Sequence, residues 1–238
     1  MKLKNISLAI ATFGVLALTN TTAEAAVYTI NDQASGYISD AGSGNFTGIR
    51  PNTNYLVGLC NASNCLNAPG EYRDFFYFEI PKLDGPIQSA TLSLPTRGVT
   101  LNQSATTTYQ VTSLSIGQAD LGILNFADLG TGTFYGSREY SVADAQTTQT
   151  IDLSAAALAA LGNGSLTFAL SGRLSSPTDF NINAPDQLLF GRSQNQISQL
   201  IITTVPVPAA MPMMLFGLSG LGLSGYRSSK KRKELAAF

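Results

Sequence analysis

Cys60 and Cys65 are the only thiols of this 238-residue chain, and four residues of a polar loop separate them. A pair so spaced can close a small disulfide loop or offer two thiolates to a metal. The metal reading lacks ligands, because structural zinc takes four Cys or His ligands and the chain has no His. Pairing is the expectation if the chain is exported, and closing so small a loop contributes about 2 kcal/mol. The absence of His also removes the commonest general base, so Ser-His and Cys-His triads cannot form within the chain. Among the acids, Asp74 and Glu79 lie five apart on a strand-like run and so point to opposite faces. The other acids stand singly, and no spacing sets two carboxylates across a cleft. The expectation is a protein that is not an enzyme, with no catalytic residue assigned.

Calcium is the one cofactor the residues leave open. Loop carboxylates and carbonyls can hold it, with Asp32, Asp40, Asp179 and Asp186 as candidates, but no Asp-x-Asp-x-Asp run concentrates charge and no metal site is assigned. Sugar binding needs exposed aromatic faces. The chain has 9 Tyr and 12 Phe but no Trp, usually the best such platform. Tyr55, Tyr72 and Tyr135 lie in or beside predicted loops and offer either a stacking platform or half-buried anchors of strand edges.

The elements that must position these residues read as β-strands. Only 12% of residues are charged, against about a quarter in ordinary globular domains, and Gly, Thr, Ser and Asn abound. Residues 74–80 are apolar on both faces, as in a central buried strand. Residues 90–94 alternate, with Ala90, Leu92 and Leu94 toward the core, and residues 166–170 do the same. Residues 107–111, 187–190 and 200–204 are further candidates, while Pro81, Asp84-Gly85-Pro86 and Pro95 read as turns. Ser154 followed by an Ala- and Leu-rich run to Leu161 and then Gly162 predicts one short helix with its cap and its stop, bridging two sheets. The fold class expected is all-β: a jelly-roll-like β-sandwich body with one short helix. An N-terminal signal helix and a C-terminal transmembrane helix flank it.

Those flanks carry the clearest patterns. Lys2 and Lys4 precede an apolar run over residues 6–18, then Ala23-Glu24-Ala25, which is the order of a signal peptide cleaved between Ala25 and Ala26. At the other end, Val205-Pro206-Val207-Pro208 precedes an uncharged apolar stretch over residues 209–226. That length is near the minimum for a bilayer span. Arg227, Lys230, Lys231, Arg232 and Lys233 then act as the membrane stop on the cytoplasmic side. Domain boundaries follow: signal peptide 1–25, β-sandwich 26–204, and a sorting signal 205–233. Residues 26–204 hold 7 basic and 13 acidic residues, a net charge of −6, which disfavours nucleic acid as a partner.

The tail resembles the PEP-CTERM sorting signal of Gram-negative bacteria, in which a Pro-Glu-Pro-like motif, a Gly- and Leu-rich span and a basic terminus follow one another. Val205-Pro206-Val207-Pro208 looks like the Val-Pro-x-Pro variant, with Val207 where the name-giving Glu stands, and Gly217, Gly220, Gly222 and Gly225 weaken the span as a permanent anchor. The stretches around Tyr55, residues 72–78, 87–92 and 126–137 are similar to a recurring β-sandwich of exported PEP-CTERM proteins. The resemblance implies export by the Sec machinery, transient anchoring in the inner membrane, tail removal by an exosortase, and delivery to the cell surface or extracellular matrix. It implies no activity for the body. A structural or adhesive surface role is the leading expectation, and a carbohydrate-binding module for exopolysaccharide is the alternative.

Overall fold

A computed structural model describes residues 25–41, 44–45, 54–61, 69–102, 104–115, 122–175, 186–191 and 197–205. All of them fall within one compact unit, Glu24–Val207. The elements are β1 (Val27–Asn31), β2 (Ala34–Ser39), β3 (Gly44–Asn45), β4 (Val57–Cys60), β5 (Gly70–Glu79), β6 (Ile87–Thr96), β7 (Gly98–Leu101), β8 (Thr106–Ser113), β9 (Phe134–Ser141), β10 (Thr147–Asp152), α1 (Ala155–Gly162), β11 (Thr167–Leu174), β12 (Gln187–Phe190) and β13 (Gln199–Thr204). They make an all-β, sandwich-like fold of two sheets. The smaller sheet runs β1-β13-β6-β10, and the larger runs β7-β12-β4-β5-β11-β8-β9 with β2 and β3 added beside β5. All the pairings are antiparallel.

The larger sheet is organised by β5. Tyr72 pairs with both Ser39 of β2 and Gly58 of β4, so those strands flank opposite edges of β5. Asp74 to Tyr77 likewise pair with both β2 and β11. Hence β4 and β11 lie end to end along one edge of β5, whose ten residues reach about 33 Å.

Alternation decides which side chains fill the core. Ala90, Leu92 and Leu94 of β6, Ile151 of β10, and Leu200 and Ile202 of β13 meet Phe76, Phe78, Tyr109, Val111 and Leu170 of the larger sheet. The opposite face of β5 is also apolar and also covered. Phe75 and Tyr77, with Ala34, Ile38 and Ala169, lie beneath Leu124, Phe126 and Leu129 of the β8–β9 connection. Arg73 clamps this cover: its guanidinium donates to the Leu129 carbonyl at 2.8 Å and lies 4.0 Å from the centre of the Phe126 ring.

The helix α1 joins β10 of the smaller sheet to β11 of the larger, burying Ala157 and Leu161. Its first backbone bond runs from the Leu158 N–H to the Ser154 carbonyl, 3.0 Å. The expected stop at Gly162 needs correcting: Gly162 is the last helical residue, Asn163 is the C-cap, and the left-handed turn falls on Gly164 (φ +74°). That position favours Gly because a Cβ is disfavoured there.

Candidate functional site

Both predicted processing points lie at one end of the smaller sheet. Val27 pairs with Thr203, and the Thr204 N–H donates to the Ala26 carbonyl at 2.9 Å. Ala25 is exposed beside them. Val205, the first residue of the predicted sorting motif, donates its N–H to the Pro86 carbonyl at 2.8 Å. Ala26 and Val205 therefore come near one another across the β1–β13 ladder and the start of β6. Ala23, Pro206, Val207, Pro208, Arg227, Lys230, Lys231, Arg232 and Lys233 lie outside the described residues, as does the predicted bilayer span. Among the described residues no helix is long and apolar enough to cross a membrane.

Next to that junction is a groove of about 440 Å³ whose walls include Ile80, Leu83, Pro86, Ile87, Leu161 and Leu166. One wall is the turn between β5 and β6, which Pro81, Pro86 and Gly85 (φ +114°) force away from strand geometry. The Tyr28 hydroxyl pins this turn, accepting from the Asp84 N–H at 2.9 Å and donating to Asp84 Oδ2 at 3.2 Å. The other wall is the end of α1 and the segment leading into β11. Leu166 on its rim is 74% exposed, an apolar side chain open to solvent beside an apolar cleft.

The remaining chemistry-bearing residues are placed by the core. Asp74 is completely buried, and the buried Tyr109 hydroxyl donates to its Oδ1 at 2.8 Å. Burial pushes the Asp74 carboxyl well above the usual carboxylate range, and the Tyr109 hydrogen bond offsets part of that. Among the described residues its Oδ2 has no hydrogen-bond partner. Glu79, at the end of the same strand, is exposed, so the two acids end in different environments. Nothing in the local sequence announces the Asp74–Tyr109 pair, whose members are 35 residues apart.

The three tyrosines considered for stacking on sugars are interior residues. Tyr55 donates its hydroxyl to the Pro95 carbonyl at 2.6 Å, Tyr72 is fully buried, and Tyr135 stacks on Phe168 at 5.6 Å between ring centres. They anchor the sandwich and form no exposed platform. Of the calcium candidates, Asp32 and Asp186 are buried and Asp40 is exposed beside Gly70, while Asp179 lies outside the described residues. Asp186 Oδ1 accepts from the Asn61 N–H at 2.6 Å. Among the described residues no three of His, Cys, Asp and Glu come together as metal ligands. Cys60 is buried at the end of β4, opposite Gly70, and no free cysteine occurs among the described residues. Cys65 lies outside them. Compared with protein-family models and with curated proteins, the chain matches none.

Proposed function

We propose that this is an exported, non-enzymatic protein of the cell surface or extracellular matrix. Its signal peptide is removed after Ala25, and its C-terminal tail is a PEP-CTERM-like sorting signal cut by an exosortase. The observation that carries the reading is the position of the two junctions. Each lies at the outer limit of a paired strand, Ala26 before β1 and Val205 after β13. Cutting at both leaves every described strand pairing and every described core residue within the body. The compact unit Glu24–Val207 ends two residues beyond each junction. The jelly-roll form of the sandwich belongs to this proposal, supported by wholly antiparallel pairing and by sheet neighbours that are distant in sequence, such as β1 and β13.

The test is intact-mass spectrometry of the protein recovered from the medium and from the membranes of its host. A released species beginning at Ala26 and ending near Val205-Pro206-Val207-Pro208 is expected. A species that still carries Met211 to Phe238 and occurs only in membranes would make the chain a permanently anchored protein instead.

A further inference from the structure

Strand β1 is an outer strand of the smaller sheet, with β13 on one side and no strand on the other among the described residues. The ladder fixes where its backbone groups point. The Thr204 N–H donates to the Ala26 carbonyl and the Asp32 N–H to the Ser198 carbonyl, so the even-numbered residues of β1 bond β13. The N–H and C=O groups of Val27, Thr29 and Asn31 therefore point outward from the sheet edge. Their side chains are exposed, and no Lys, Pro or bulge blunts this edge, although natural edge strands are usually guarded in such ways. The opposite edge of the sheet is covered. Arg138 of β9 donates to the Thr150 carbonyl of β10 at 3.5 Å, and the Ser154 N–H just after β10 donates to the Tyr135 carbonyl at 2.6 Å. We propose that β1 is a dimer edge, to which a second copy of this chain adds its own β1 antiparallel.

Self-complementarity selects a second copy as the occupant. A two-fold axis at Thr29 sets Val27 opposite Asn31 of the second copy and Thr29 opposite its own counterpart. That register pairs every outward N–H and C=O of the three residues at once, and a slip along the strand leaves some of them unpaired. On the core face it sets Tyr28 opposite Ile30 of the second copy, an aromatic and β-branched pair that is favourable across strands. Tyr28 is half-buried against the main core, so the pairing carries that core on into the second copy. None of the five residues of β1 is charged, and no like charges meet at the junction. The two bodies, each −6 over residues 26–204, repel at longer range, and salt screens that repulsion beyond about 8 Å at physiological strength. Association should therefore tighten as salt is added. Because β10 is covered, pairing through this sheet closes at two copies instead of running on as a fibre. Neither export nor tail removal enters the argument.

The experiment uses the full-length chain in detergent micelles, as an equal mixture of ordinary and isotopically heavy copies. A benzoylphenylalanine photo-crosslinker replaces Val27, which is 63% exposed, and adducts between light and heavy copies are mapped by peptide mass. The control site is Val142, which is 62% exposed. Adducts on residues 29–33 of the other copy are expected, about tenfold above the control, the excess that about 1.4 kcal/mol of preferred pairing gives. Thr29→Lys alone and Thr29→Glu alone, each carrying the crosslinker, should cut these adducts about fivefold, because like charges then meet on the axis. Mixing the two variants should restore them, since opposite charges then face each other, and recovery on mixing separates lost pairing from a lost fold. Adducts confined to the crosslinker's own chain or to detergent, adducts scattered over the second copy, or no recovery in the mixture would each overturn the proposal.

Discussion

Asp32 occupies the two-residue crossing that takes the chain from β1 in the smaller sheet to β2 in the larger. Its N–H donates to the Ser198 carbonyl at 3.1 Å, and the residue is buried. Burial raises its carboxyl to about 6, and the Ser35 and Ser198 side chains, which act to lower it, offset only part of that rise. The folded protein thus holds this proton more tightly than the unfolded chain does. The stability this supplies is complete below pH 3.8, the ordinary value, and is lost as pH rises through about 6. Asp32→Asn removes the ionisation. It should stabilise the protein at pH 7 by about 1–3 kcal/mol and change little near pH 4, read as urea midpoints across that range. A difference that ignores pH would refute the assignment. Asp74 acts with the same sign. Gly172 leaves the space that the Tyr109 hydroxyl and Asp74 Oδ1 fill, and a Cβ there would collide with both. Gly172→Ala should therefore cost about 2–4 kcal/mol in chemical unfolding, through overpacking and a lost buried hydrogen bond. An unchanged midpoint would mean that the pair tolerates displacement.

At the scale of elements, β5 succeeds because each of its faces has a cover. The smaller sheet takes Phe76 and Phe78, and the β8–β9 connection takes Phe75 and Tyr77. That connection is fixed by an Asn125–Asp128 capping box and by the Gly130 N–H donating to Ser171 Oγ at 2.9 Å. Where β4 takes over from β11 beside β5, Gly58 (φ +120°) is pressed against the Gln187 carbonyl and Leu174, so a side chain has no room. Phe190 ends β12 at φ +76°, an unusual conformation for a bulky residue. Tyr55, Tyr109 and Tyr140 hold it there at ring distances of 5.0–5.5 Å. The connection from β4 to β5 begins at Cys60. We expect non-reducing peptide mapping to find Cys60 joined to Cys65, with reduction lowering stability by about 2 kcal/mol. Two thiols that both take up an alkylating reagent in the native protein would remove the staple.

At the scale of the molecule, the junctions decide how the body can be handled. Because β1 and β13 pair with each other, the described chain enters and leaves the sheet at one place, and both proposed cuts would fall at the same end of that sheet. Trimming should therefore be neutral for the body: the released species should unfold at a denaturant concentration matching the body of the full-length chain. Chemical denaturation of both forms checks this, and a large loss in the released form would mean that the ends help hold the fold. A net charge of −6 over residues 26–204 favours a body that stays dispersed in water.

Patterns carried by neighbours in sequence were legible without the structure. The run 74–80 is a doubly covered strand, Ala90, Leu92 and Leu94 do face the core, and the short helix after Ser154 does join two sheets, because periodicity is a local property of the chain. Ser154 takes the N-cap position, but its hydroxyl donates to the Phe134 carbonyl and makes no capping bond. The order of basic, apolar and small residues at one end, and of prolines, apolar span and basic cluster at the other, is local in the same way and carries the proposal about export. The strands β1, β2, β3, β4, β7, β9 and β10 were not legible: Thr147 to Asp152 is polar in five of six positions, and only pairing with β6 makes it a strand. The fate of Tyr55, Tyr72 and Tyr135 was open in the sequence, since an aromatic ring serves a sugar face or a core equally well until burial decides. The Asp74–Tyr109 pair, the groove and the approach of Ala26 to Thr204 belong to the tertiary structure alone. Each brings together residues far apart in the chain, and only sheet register fixes such distances.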